Sequence, residues 1–225
     1  MNQTMITYAS LIGALLLLRI PFIGKILRVT NTLVHESGHM LVTLFTGGKV
    51  IKVELFSDVS GTTQTTNSST FSGILTAISG YPFASFFAMV SAWLIHINQP
   101  KWIIIALMAL ALINLLFYVR NIYGFIWLVV FLFCTGWLSS KGTPNQIHIT
   151  ATGLMLILIA DSTLSALELL VLAISQPNKS GDAKVLEKST HIPAVIYGFI
   201  FSIISITATV ISIWHFFPPV KDIFR

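Results

Sequence analysis

Long apolar runs alternate with short polar connections along this chain. Seven runs approach the roughly 20 residues that a helix needs to cross hydrocarbon at about 1.5 Å per residue. They are Met5 to Ile20, Ile26 to Phe45, Phe71 to Ile95, Trp102 to Val119, Ile122 to Leu138, Ile149 to Ile174 and Ile192 to Phe217. The first is short, and the second holds enough polar residues that a strict hydropathy window would pass over it. Six or eight spans fit the same pattern. The expected fold class is therefore an all-α polytopic membrane protein of about seven transmembrane helices, read as a single membrane-embedded domain over residues 1–225.

One stretch departs from the helical pattern. After the second run, Lys49-Val-Ile-Lys-Val-Glu-Leu55 alternates imperfectly between polar and apolar residues, and a Thr/Ser/Asn-rich tract follows from Gly61. This predicts a small β-hairpin within residues 47–70, with Ser60-Gly61 in or near its turn. Residues 175–191 form the longest remaining connection, in which Asp182 to Lys188 can make one or two helical turns.

Composition enlarges the picture. Only 9% of the 225 residues are charged, 55% are hydrophobic, and the mean hydropathy is +0.85. A soluble domain carries about 25% charged residues, so most of this surface must face lipid. The net charge of +5 comes from basic residues scattered singly between apolar runs, which suits helix ends at headgroups and argues against nucleic-acid binding. The first run is followed by Arg19 rather than a small-residue cleavage site, and reads as a retained span. Placing Arg19, Lys25 and Arg28 in the cytoplasm puts seven Lys/Arg inside, with Lys101, Lys141, Lys221 and Arg225, against six outside. That excess is small, and the orientation rests mainly on the short first connection. Cys134, the single cysteine, reads as a buried or lipid-facing apolar side chain.

The second run carries the chemistry. His35 and His39 are four apart, which places both imidazoles on one helix face where they can share a zinc ion. Glu36 lies about 100° round the helix, able to reach a water beside the metal without ligating it. This is the H-E-x-x-H arrangement, with glutamate as general base. Ser37 and Gly38 are small and predict an open approach to the metal. An ionised residue at mid-bilayer costs about 2.5 kcal/mol or more, so this cluster must be solvated or metal-bound. The bland alternative is a polar patch at a helix interface.

Zinc sites of this kind use a third protein ligand. Seven spans make the second and sixth runs cross in the same direction. His35 and His39 lie 9 and 13 residues past Ile26, and Asp161 lies 12 past Ile149, so equal rise puts all three at one depth. Asp161 is thus the tentative third ligand, unless it serves an interhelical hydrogen bond. Asp182 and Glu187 fall in the connection, and Asp182 is the next candidate if the span count is different. His96, His148, His191 and His215 sit near span ends and read as interfacial side chains.

These residues resemble the site-2 proteases, a family of intramembrane zinc metallopeptidases, and most closely their short bacterial M50B-like branch. The matching stretches are Asn31 to Met40 around His35-Glu36-Ser37-Gly38-His39, Thr46-Gly-Gly48, Ser60-Gly-Thr-Thr63, Ile78-Ser-Gly-Tyr-Pro82, Val119 to Gly124, Gly181 to Leu186 and His191-Ile-Pro193. The resemblance implies zinc held by His35 and His39, Glu36 as catalytic base, cleavage of membrane-associated protein or peptide substrates at membrane depth, and a bacterial plasma membrane. Members of the family take the third ligand from Leu-Asp-Gly, whereas here the sequence reads Ala160-Asp161-Ser162. Two other functions fit the residues: a catalytically inactive relative that binds a partner, and an ion or proton transporter in which the intramembrane His, Glu and Asp relay charge. Metal content separates the protease from the relay, and turnover separates it from the inactive relative.

Overall fold

The computed structural model describes residues 3–217, with side chains from residue 8 onward. Lys221 and Arg225, which entered the charge count, lie outside the described residues. Each of the seven apolar runs forms a helix: α1 (Gln3–Leu17), α2 (Ile23–Phe45), α3 (Thr70–His96), α4 (Lys101–Ile113), α5 (Ile122–Lys141), α6 (Pro144–Ser175) and α8 (Ala194–Phe216). Between the last two stands a short polar helix, α7 (Gly181–Thr190), longer than the one or two turns expected there. Among the described residues, α3, α4 with its continuation to Tyr118, α5, α6 and α8 are long and apolar enough to cross a membrane by length and composition. The chain is a multi-pass membrane protein with a two-stranded hairpin.

Local chemistry sets the helix starts. Thr143 Oγ1 accepts from the Gln146 backbone while Gln146 Oε1 accepts from the Thr143 backbone, and Pro144 takes the first helical position. Helix α6 therefore begins five residues before its apolar run and spans 32 residues, about 48 Å. That exceeds the hydrocarbon thickness of about 30 Å, so its ends reach beyond the apolar layer. Ser69 and Ser72 cap α3 in the same reciprocal way.

Helix α3 packs against α2, α6 and α8. Its small residues Ala84, Ala88 and Ala92 recur every four positions and let α6 approach through Ala151, Met155 and Leu158. On α5 the side chains of Phe125, Ile126, Val129, Phe133 and Trp137 are exposed, as a lipid-facing helix requires. Cys134 lies on this exposed helix.

The hairpin pairs β1 (Lys49–Leu55) with β2 (Gly61–Thr66) in antiparallel register, with an irregularity between Val50 and Lys52. Helix α4 continues into a wider π-turn, Asn114–Tyr118, after which Val119 bridges to Val53 and the Arg120 backbone donates to Val53. Asn121 then clamps β1 from both sides of its amide. Its Oδ1 accepts from the Leu55 backbone at 3.2 Å and its Nδ2 donates to the Leu55 carbonyl at 2.6 Å. The hairpin is thereby fixed over the middle of α2.

Candidate metal centre

Helix α2 turns one polar stripe inward. Arg28, Asn31, Thr32, His35, Glu36 and His39 all line a cavity of about 480 Å³. Its roof is the hairpin: Thr32 Oγ1 donates to the Val59 carbonyl at 2.8 Å, and Thr63 Oγ1 donates to Glu36 Oε2 at 2.6 Å. Glu36 is only 4% exposed, so this hydrogen bond orients a buried carboxylate. Gly61 is required there, since a Cβ would stand 2.5 Å from Glu36 Oε1.

The opposite wall is α3. The Thr76 carbonyl accepts from His39 Nδ1 at 2.6 Å. A carbonyl has no proton to give, so Nδ1 carries one, and Nε2 is the nitrogen turned toward His35 and Asp182. The Tyr81 ring meets the His35 ring edge-on at 4.5 Å between centroids and stacks on Phe201. Between these contacts α3 comes so close that a Cβ on Gly80 would lie 2.5 Å from His39 Nε2 and from His35 Cε1.

Ser37 and Gly38 have a different use from the open approach expected of them. Ser37 Oγ donates to the Leu33 carbonyl and accepts from Asn114 Nδ2 at 3.0 Å. A Cβ on Gly38 would sit 2.7 Å from Phe83. Both are small because neighbouring helices press on them.

Helix α7 supplies the third group. Asp182 Oδ2 lies 3.1 Å from His35 Nε2 and 3.2 Å from His39 Nε2, and the two Nε2 atoms are 3.0 Å apart. One ligand atom from each residue thus meets the other two, as in a metal centre. Burial by itself pushes the Asp182 carboxyl up, but His39 and His35 beside it hold it well below the usual carboxylate range. Ala183 and Leu186 are buried on the inward face of α7, and Glu187 accepts from the Ala194 backbone at the start of α8.

A model of the Peptidase M50B-like family matches residues 8–212. The chain belongs to this family. No curated protein and no solved structure matches it.

In this M50B-like chain the structure places Asp161, the tentative third ligand, beside Arg28 and not in the group formed by the two histidines. Its carboxylate accepts from Arg28 Nε at 2.5 Å, and Arg28 also donates to Glu168 at 2.6 Å. Asp161 is thereby spent on an ion pair, and Asp182 stands where it was expected. Equal rise from the apolar starts did not become juxtaposition because the contacts between α2 and α6 join Arg28 to Asp161 and Asn31 to Ser165. The first turns of α2, rather than its histidine turn, lie against Asp161. Of the other histidines, His96, His191 and His215 are exposed, and none of the four joins the cluster. His191 closes α7 in a left-handed conformation. Gly80, Thr63 and Asn121 were not assigned roles from sequence, although each lies in a stretch that carried the family resemblance.

Proposed function

We propose that this chain is an intramembrane zinc metalloprotease, with His35, His39 and Asp182 holding the metal and Glu36 as general base. The observation that carries the reading is the donor triangle. Its edges are 3.0, 3.1 and 3.2 Å. Tetrahedral zinc with ligands at about 2.0–2.1 Å has donors about 3.3 Å apart, so the triangle has nearly the size of one tetrahedral face. Two imidazoles and one carboxylate are also a catalytic donor set, which leaves the fourth position for water or substrate. When bound, zinc would lower the pKa of water and polarise the scissile carbonyl.

The chain's own residues supply the rest. Thr63 aims the Glu36 carboxylate, which takes a proton from water and hands it to the leaving amine. Thr76 holds His39 in the ligating tautomer. Among the described residues strand β2 pairs with β1 on one side only, and its Gly61, Thr63 and Thr65 line the cavity. An extended substrate segment can add to that free edge, since a protease reads extended chain. The substrates are membrane-associated proteins or peptides.

Purified protein in detergent is expected to carry about one zinc per chain by elemental analysis. Glu36→Gln should keep the zinc and lose cleavage of a fluorogenic peptide library, because glutamine cannot accept the proton. Wild-type protein without zinc, or undiminished cleavage by Glu36→Gln, would overturn the assignment.

A further inference from the structure

Tyr81 lines the cavity from α3, one residue past the glycine that lies against both imidazoles. Its ring is held on two sides, stacked on Phe201 at 5.0 Å and edge-on to His35 at 4.5 Å between centroids. A phenylalanine ring would make both contacts. The hydroxyl needs a separate account, since a tyrosine O–H inside a protein ordinarily finds a partner.

This hydroxyl has no hydrogen-bond partner among the described residues, yet it is not sealed. The side-chain atoms there that are both buried and unpartnered are Asn31 Oδ1, Asn114 Oδ1 and Thr152 Oγ1. The Tyr81 hydroxyl is not one of them, so a water-sized group can reach it. Two observations give its direction. Helix side chains lean toward the helix N-terminus, which carries the phenol over Ala77, itself part of the cavity wall. The carboxylates whose charge the hydroxyl feels are, strongest first, Asp182, Glu36, Glu168 and Asp161. These stand on α7, α2 and α6, and Asp182, Glu36 and Asp161 line the cavity. A proton donor that meets Asp182 and Glu36 first stands beside the donor triangle and the base.

We infer that the Tyr81 hydroxyl donates a hydrogen bond to the scissile carbonyl oxygen as that oxygen gains negative charge, making Tyr81 a catalytic residue. The inference rests on the protease reading above. Glu36 takes a proton and returns it to the amine, so it offers the carbonyl oxygen nothing. A fixed donor aimed at that oxygen favours the transition state over the ground state. The two ring contacts fix the donor before substrate arrives. Tyr81 keeps its proton throughout.

The test compares two peptides on zinc-loaded protein, with zinc affinity read in parallel by competition with a chelator. A phosphinate peptide presents tetrahedral oxygens in place of the scissile carbonyl. A thiol-ended peptide of the same sequence presents none. Tyr81→Phe should keep wild-type zinc affinity and bind the thiol peptide as the wild type does. It should bind the phosphinate on the order of 100-fold more weakly, the scale on which one oxyanion donor is felt. Cleavage should fall in kcat by a similar factor, with little change in KM. Weakening of both peptides together with lower zinc affinity would show Tyr81 acting through His35 or Asp182, and overturns the inference. Equal phosphinate binding by variant and wild type also overturns it. If Tyr81→Phe does not fold, 3-fluorotyrosine at position 81 keeps the hydroxyl and reports through its fluorine resonance. That resonance should move with the phosphinate and not with the thiol, and the same response to both overturns the inference. All of these results leave the protease reading intact. A wild type that holds no zinc and binds neither peptide overturns both.

Discussion

Two acidic clusters share the polar face of α2, and their acids meet opposite fates. Near its start, Asp161 and Glu168 close on Arg28, a cation that satisfies both. Further along, Asp182 closes on His35 and His39, and no lysine or arginine pairs with it among the described residues. A carboxylate in an apolar surrounding needs a partner, and the two sites answer that need differently. The first is complete in itself and joins α2 to α6. The second brings three electron-pair donors within about 3 Å of one another, an arrangement that invites a metal. A buried acid is thus informative about chemistry only once its nearest cation is known.

The sharpest way to break the comparison is to exchange the roles of the two aspartates. Asp182→Ala is expected to lose zinc and all cleavage, as are His35→Ala and His39→Ala, because two ligands seldom retain the ion. Asp161→Asn is expected to keep about one zinc per chain. Elemental analysis of the four variants reads this directly. Zinc lost from Asp161→Asn but kept by Asp182→Ala would reverse the assignment.

The ion-pair cluster should answer instead in stability. Arg28→Met leaves Asp161, 2% exposed, without its cation. Removing one partner of a buried pair costs about 3–5 kcal/mol, and here most of that falls on Asp161, since the Glu168 side chain is 44% exposed. Thermal unfolding in detergent should fall markedly, and the double variant Arg28→Met with Asp161→Leu should recover much of the loss. Zinc content in the folded fraction should not change. An unshifted melting temperature in Arg28→Met would remove the structural role.

The seven apolar runs were legible because lipid demands apolar helices, and each run became one. The hairpin showed in the alternation after Lys49, and its turn lies where Ser60-Gly61 pointed. His35, Glu36 and His39 were legible because i, i+4 spacing fixes their mutual position within a single helix. Asp182 showed only as the second candidate, because its place depends on α7 folding back against α3 rather than staying a connection. Gly80 and Thr63 act through the approach of separate elements, which no local pattern encodes.

Gly80 separates folding from metal binding. Gly80→Ala places a methyl 2.5 Å from both imidazoles. Alanine favours a helix over glycine by about 0.8–1.0 kcal/mol, so local propensity alone would stabilise the variant. Metal affinity should move the other way, falling about 10- to 100-fold, the scale on which disturbed ligand orientation is felt. Competition with a chelator measures it, and a folded variant with wild-type zinc affinity would show that the imidazoles shift freely.

The smallest expected effect belongs to Thr63, which touches the proposed base rather than the proposed ligands. Its hydroxyl donates to Glu36 Oε2 at 2.6 Å from a strand that also borders the cavity. Thr63→Val keeps the shape of the side chain and removes the donor. Zinc content should be unchanged, because Glu36 is not a member of the donor triangle. The hydrogen bond to a charged group contributes about 1.5–3 kcal/mol, only part of which bears on the orientation of the base. A loss of about tenfold in kcat with little change in KM is therefore expected. Thr63→Ser restores the hydroxyl without the methyl and should recover most of the rate. If serine is as poor as valine, the methyl contact of Thr63 matters rather than its proton, and Glu36 is oriented by other means.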